Sequence, residues 1–272
     1  MSNQLYTILN NGQQMPLLGL GVYDMYNREA EQAVLWALET GYRLIDTAEM
    51  YKNETEIGNA VRESGIDRTE IFVTTKVNNG DQGFDKTLRA FDESLKKLNI
   101  DYIDLYLVHW PIKATRKDTW LALEKLYTEG RVKAIGVANY LVPFLNELQS
   151  YSSTVPAVNQ VEFSPYLYLK DLAEVCKQKK IQLQAYTPLA RGMRMNDPKI
   201  QSIAQKYEKT TAQIILRWAL QHGVSSIPKS ANLQRIKENF DIFDFEINQI
   251  DMTFIDTFNE NLRIVEDPMD LF

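Results

Sequence analysis

Four side chains in the first half of the chain could together move a proton: Asp46 and Tyr51 in GYRLIDTAEMYKNE, Lys76 in IFVTTKV, and His109 in YIDLYLVHW. A tyrosine hydroxyl ordinarily titrates near pH 10, so it gives up its proton reluctantly near neutrality. A lysine beside it would stabilise the phenolate and draw the phenol down toward neutrality, and a carboxylate would keep that lysine charged and in place. An imidazole next to the phenol could hydrogen-bond the same substrate oxygen, and the set then reads as a proton donor for a carbonyl. Taken singly, each residue has an ordinary structural reading. Asp46 could cap a helix, Lys76 could reach water from a strand end, His109 could be a core histidine and Tyr51 could be surface packing. His222, in LQHGVSS, has no such neighbours and reads as helix-terminal structure.

These four act together only if the fold brings strand ends to one rim. Strand-like apolar runs recur at 18–22, 43–47, 71–77, 102–110, 132–139, 157–163, 181–186 and 225–228. Between them lie segments with apolar residues three and four apart, such as EAEQAVLWALETG and FDKTLRAFDESLKKLN. Eight strand-helix units in 272 residues predict an α/β fold, the (β/α)8 TIM barrel. No Pro- or Ser-rich linker breaks the rhythm, so residues 1–272 read as a single domain. TILNNGQQMPLLG, with Asn11 and Gly12 at its turn, predicts an N-terminal β-hairpin that could close the barrel floor. Chemistry in such barrels gathers at the carboxyl ends of strands, where Asp46, Lys76 and His109 fall on the second, third and fourth.

Composition narrows the partners. A hydrophobic fraction of 44% and a charged fraction of 24% are ordinary for soluble globular chains. A net charge of -6, with no basic cluster beyond Lys177, Lys179 and Lys180, argues against nucleic acid. MSNQLYTILNNGQQ has neither the basic start nor the apolar run of a signal sequence, and no stretch approaches the roughly 20 apolar residues of a membrane span. The single Cys176, in AEVCKQKK, reads as a packed helix residue, and the expected location is cytoplasmic. No metal is expected, since two distant histidines and one cysteine give no zinc spacing. No G-x-S-x-G nucleophile elbow occurs either. Hydride from a nicotinamide is the remaining common attacker on a carbonyl carbon. The glycine-rich dinucleotide fingerprint is absent, because Gly19 and Gly21 are followed by Asp24, and this GLG reads as a tight strand end. SIPKSANLQRIKENF instead places Lys229 and Ser230 after the last strand and Arg235 in the first turns of a helix. That set suits a phosphate, and suits a charged exposed helix as well.

Taken together, these segments resemble the aldo-keto reductase family along nearly the whole chain. GYRLIDTAEMYKNETEIG, KAIGVANY and IPKSANLQRIKENF are similar to its three signatures, in order. The resemblance implies NADPH-dependent reduction of aldehydes and ketones, with Asp46, Tyr51, Lys76 and His109 as catalytic tetrad and Tyr51 as proton donor. It also implies carboxamide contacts from Asn139 and Gln160, ring stacking on Tyr186, and an adenosine 2'-phosphate site at Lys229, Ser230 and Arg235. Glu238 and Asn239 would lie near the adenine, and Gly21, Val22 and Leu189 would make further cofactor contacts. Arg235 would distinguish NADPH from NADH, because a guanidinium pairs well with a phosphate dianion. One position departs from the pattern: Ala138 stands where the family usually carries Ser or Cys. The missing hydrogen bond is worth about 0.5–1.5 kcal/mol, which would weaken the cofactor several-fold and leave activity in place.

By the same resemblance, Gly21, Val22, Tyr23, Met50, Asn78 and Trp110, with His109, line the substrate pocket. Tyr23 and Asn78 stand where many relatives carry tryptophan, which implies a roomier or more polar pocket. The short tail NLRIVEDPMDLF is similar to that of bacterial 2,5-diketogluconate, glyoxal and methylglyoxal reductases. The implied substrates are small aldehydes, dicarbonyls and sugar-derived ketones, and the implied state is a monomer. Two alternatives stay open: a barrel lyase using Lys76 as a Schiff base, and a non-catalytic nicotinamide-binding module like the family's channel-associated relatives.

Overall fold

The structure is a computed structural model that describes residues 4–271. A hairpin comes first, β1 (Tyr6–Ile8) pairing antiparallel with β2 (Gln14–Pro16). Eight parallel strands follow, each hydrogen-bonded to the next: β3 (Leu20–Gly21), β4 (Leu44–Asp46), β5 (Phe72–Val77), β6 (Ile103–Val108), β7 (Val132–Ala138), β8 (Val158–Glu162), β9 (Gln182–Tyr186) and β10 (Ser225–Ser226). The barrel closes between β10 and β3. Ser226 N donates to Leu17 O and Gly19 N to Ser226 O, both at 2.9 Å, and Gly21 N reaches Pro228 O at 3.2 Å. A side chain at Gly21 would put its Cβ 2.8 Å from Ile227 O, so the close approach at this seam needs glycine. The two seam strands are the shortest, two residues each against the five and four expected at 18–22 and 225–228.

Single helices fill the first six crossovers: α1 (Asn27–Thr40), α2 (Glu54–Glu63), α3 (Phe84–Leu98), α4 (Arg116–Thr128), α5 (Val142–Tyr151) and α6 (Lys170–Gln178). The crossover to β10 carries two, α7 (Pro198–Lys206) and α8 (Thr211–Gln221), and β10 is followed by α9 (Leu233–Phe240) and α10 (Gln249–Asp256). The described residues thus hold ten α-helices where a strict eight-unit rhythm gives eight. The extra helix starts are written in local chemistry. Asp197 caps α7 with Pro198 at its first turn, Thr210 and Gln213 form a reciprocal capping box on α8, and Asn248 caps α10.

Both faces of every barrel strand are covered, and the two-residue side-chain period sorts each strand into two cores. Leu44, Phe72, Leu105, Leu107, Ala134, Ala138 and Val158 point inward and pack with Leu9, Met15 and Ile227. Ile45, Val73, Val77, Tyr106, Val108 and Val161 point outward against the helix layer. Leu9 and Met15 belong to the hairpin, which therefore plugs the floor, and burying each stabilises the fold by about 1.5–3 kcal/mol. At the turn Gly12 takes φ +85°, while the neighbouring asparagines tie the loop to the barrel. Asn10 Nδ2 donates to Pro156 O at 3.0 Å and Asn11 Nδ2 to Lys133 O at 2.9 Å. Continued to the carboxyl ends, the same alternation turns Asp46, Lys76, Gln160 and Tyr186 inward. That is how an apolar barrel acquires a polar rim. Cys176 is buried on α6, as expected, and no helix among the described residues is long and apolar enough to cross a membrane.

Candidate active site

Above the polar rim lies a cleft of about 980 Å³ whose wall includes Asp46, Tyr51 and His109. Asp46 is the last residue of β4 and is not a helix cap, since α2 starts only at Glu54. Lys76 does not reach water: its side chain is 0% exposed and its Nζ donates to Asp46 Oδ1 at 2.6 Å, Thr47 O at 2.8 Å and Tyr51 Oη at 3.4 Å. Three acceptors for three ammonium protons hold the lysine charged. A buried, ion-paired, fully donated ammonium has no lone pair for a Schiff base, which tells against the lyase alternative. Tyr51 sits in a short 3-10 turn, Glu49–Tyr51, with Lys76 Nζ 5.0 Å from its ring centre. His109 lies one residue past β6, and its ring meets Tyr51 edge-on at a centroid distance of 5.8 Å. Its Nδ1 is buried with no hydrogen-bond partner among the described residues.

Electrostatics correct one expectation. Burial raises the Tyr51 phenol well above its usual value, and the Asp46 carboxylate adds to the rise. The lysine does not draw the phenol down toward neutrality, because burial of the phenol, with the Asp46 carboxylate adding to it, outweighs the ammonium 3.4 Å away. Tyr51 is therefore held as the protonated phenol, which is the form a proton donor needs. Burial also moves the pair itself, Asp46 upward and Lys76 downward, against their mutual attraction. His109 is pushed well below its usual value by burial and then by Lys76, so it is a neutral imidazole. A neutral ring can donate to a carbonyl oxygen without competing for the proton that Tyr51 carries.

The expected cofactor residues are arranged around the same cleft. Gln160 Nε2 is committed to Asp46 Oδ2 at 2.7 Å and Gln184 Oε1 at 2.8 Å, so its Oε1 is what it can offer a carboxamide. Asn139, with φ +65°, donates from Nδ2 to His109 O at 2.9 Å and accepts at Oδ1 from the Tyr186 hydroxyl at 2.7 Å. Its side chain ties the histidine strand to the expected stacking ring. Ala138 is fully buried in the inner core beside these groups. Leu189, Lys229, Ser230, Arg235, Glu238 and Asn239 all line the cleft. Lys229 and Arg235 are exposed and make no ion pair among the described residues, whereas Ser230 is buried and its Oγ accepts from Asn232 N at 3.1 Å. Asn232 caps α9 by accepting from Arg235 N, so Lys229, Ser230 and Arg235 gather at a helix start.

Two expected pocket residues are not on the wall. Val22 has its side chain in the outer core and only its backbone nearby, its N donating to Asp46 O at 3.1 Å. Asn78 stands at the N-cap position of the 3-10 turn Asn79–Asp81, with no side-chain capping bond, and does not line the cleft. Gly21, Tyr23, Met50 and Trp110 do line it, and the Tyr23 ring meets Tyr51 edge-on at 5.1 Å. The wall also holds residues that sequence reasoning missed. Arg191, in the left-handed region at φ +48°, stands with its guanidinium 6.0 Å from the centre of the Tyr23 ring. Thr210 and Thr211 bring the start of α8 to the cleft, and the T-x-x-Q capping box was the available signal for it. Among the described residues no group of three or more His, Cys, Asp or Glu is placed to hold a metal ion.

Comparison with known proteins identifies the family. The profile of the aldo/keto reductase family matches residues 18–260. Glyoxal reductase of Bacillus subtilis is 51% identical over 264 residues, covering 97% of this chain and 96% of that one. An aldo/keto reductase from Brucella melitensis superimposes with a TM-score of 0.91 at 47% identity, over 94% of this chain and 100% of its own. A Bombyx mori aldo-keto reductase in complex with NADP superimposes with a TM-score of 0.90 at 35% identity, over 96% and 95%. The chain belongs to the aldo/keto reductase family and is an oxidoreductase.

Proposed function

We propose that this protein reduces small aldehydes, dicarbonyls and sugar-derived carbonyls to alcohols with NADPH, using Tyr51 as proton donor. The observation that carries the reading is the buried Lys76 ammonium shared between Asp46 Oδ1 and Tyr51 Oη, two residues on the wall of a cleft that also reaches Arg235. The residues present fit a phosphorylated dinucleotide. Among the described residues, two cations without ion pairs and a serine gather at one helix start, and the Tyr186 ring, the Gln160 amide oxygen and the unpartnered His109 Nδ1 gather at Asp46 and Tyr51. When bound, NADPH supplies the hydride for the carbonyl carbon. Tyr51 holds the phenolic proton that the carbonyl oxygen takes up, and His109 orients that oxygen by hydrogen bonding. Lys76 then faces the phenolate oxygen at the position it already occupies, so the developing charge meets a fixed cation without reorganisation. Lys229, Ser230 and Arg235 would hold the 2'-phosphate, and Tyr186 and Gln160 would orient the ring and its carboxamide. The relationship to glyoxal reductase supports small dicarbonyls as the substrate class.

The test is loss of NADPH absorbance, with NADH in parallel, against glyoxal, methylglyoxal, 4-nitrobenzaldehyde and a keto sugar. The expected result is faster turnover with NADPH and with the small dicarbonyls. Tight NADPH binding with no turnover of any carbonyl would instead favour a binding module.

A further inference from the structure

Tyr51 is also held from a side that proton transfer does not use. Asn53, two residues on, is completely buried and stands at the N-cap of α2, yet its side chain makes no capping bond. A capping asparagine would stabilise the helix by about 1 kcal/mol. Here the amide is turned inward. Its Oδ1 accepts from Thr47 Oγ1 at 2.6 Å, and its Nδ2 donates to Val22 O at 2.9 Å and Met25 O at 3.0 Å. Thr47 also presents its carbonyl to Lys76 Nζ at 2.8 Å. The two carbonyls that Asn53 holds flank Tyr23, whose ring packs edge-on against Tyr51. Asn53 thus closes a circuit from Lys76 through Thr47 to the loop carrying Tyr23, and both ends of that circuit touch Tyr51.

We propose that Asn53 is a positioning residue for Tyr51, fixing residues 47–51 against the β3–α1 loop so that Tyr51 Oη stays within reach of Lys76 Nζ and against the Tyr23 ring. The proposal rests on the reading of Tyr51 as proton donor. An amide is required because the site needs one acceptor and two donors on a single planar group. Aspartate would supply the acceptor and set a carboxylate against two carbonyl oxygens. Thr47→Val removes one hydroxyl at nearly constant volume and leaves Asn53 in place, while Thr47→Ser keeps the hydroxyl.

The test compares wild type, Asn53→Asp, Thr47→Val and Thr47→Ser by thermal unfolding, NADPH affinity from fluorescence, and kcat for a small aldehyde. A fourth readout is the 19F resonance of 3-fluorotyrosine placed at position 51. A misplacement of about 1 Å costs roughly a hundredfold in rate. The expected result is a kcat lower by roughly ten- to a hundredfold in Asn53→Asp and Thr47→Val, with NADPH affinity within about twofold of wild type. Thr47→Ser recovers the rate, and the 19F line splits or broadens only in the impaired variants. A purely structural role would lower the unfolding temperature and leave kcat unchanged. A folded Thr47→Val with wild-type kcat and a wild-type 19F line overturns the proposal. If Asn53→Asp does not fold, the two Thr47 variants decide. A wild type that reduces no carbonyl overturns the donor reading instead, and the 19F line of Thr47→Val then decides positioning, split in support and unchanged against.

Discussion

Lys76 and Arg235 serve one cleft, and the protein treats the two cations in opposite ways. Lys76 is 0% exposed with acceptors for all three of its protons, and every neighbour that holds it comes from the protein. Arg235 is exposed, its backbone N spent on the Asn232 cap and its guanidinium without an ion pair among the described residues. The first arrangement costs desolvation on folding and needs no reorganisation when charge develops. The second leaves its charge available for a ligand. Under the proposed function, the Lys76 side would set rate and the Arg235 side affinity, and each of the following outcomes breaks or sharpens that division.

The largest effect belongs to Tyr51→Phe, which removes the proton and leaves the ring. Steady-state assays should show kcat reduced by roughly 10²- to 10⁴-fold, the range of general acid catalysis. Lys76→Met leaves Asp46 buried without its partner, and chemical denaturation should show a loss of about 3–5 kcal/mol. Arg235→Ala should weaken NADPH by about 1.5–3 kcal/mol, roughly ten- to a hundredfold in Kd, with NADH little changed and with a shallower salt dependence. The sign for His109 follows from its lowered pKa. Below about pH 6.5 the unfolded chain binds a proton that the folded protein refuses, so stability falls as pH drops through that value. Replacing it in His109→Gln should flatten the decline by up to about 1.4 kcal/mol per pH unit in denaturation curves between pH 7 and 5. Smallest is Ala138→Ser, which puts a hydroxyl beside Asn139 and should tighten NADPH by about 0.5–1.5 kcal/mol in a fluorescence titration.

Three of the four grouped side chains were legible in the sequence because they stand at or just past strand ends, and the two-residue period fixes which way a strand end points; Tyr51 sits in a 3-10 turn instead. Asp46, Lys76 and His109 needed only the strand count and the face. Val22 and Asn78 lie off the cleft wall for a related reason. Val22 follows Gly21 on the outward phase of β3, and Asn78 is taken into a turn that starts after β5 ends. The orientation of Gln160 depends on Gln184, from the next strand, and that of Asn139 on Tyr186, two strands away. Neither neighbour is implied by local pattern. The direction of the Tyr51 pKa was out of reach too, since it turns on how deeply the phenol itself is buried and on how near the Asp46 carboxylate lies. The Ala190–Gly192 turn, which carries Arg191 with a left-handed backbone, shows no turn signature beyond Gly192, so its place on the cleft wall had no sequence signal.

The most direct test of the division between rate and affinity is one crossed experiment: kcat for a small dicarbonyl and Kd for NADPH, measured for both Tyr51→Phe and Arg235→Ala. The predicted result is a mirror image, with Tyr51→Phe losing kcat at unchanged Kd and Arg235→Ala losing affinity at nearly unchanged kcat. Loss of NADPH affinity in Tyr51→Phe equal to its loss of kcat, or wild-type affinity in Arg235→Ala, would contradict it.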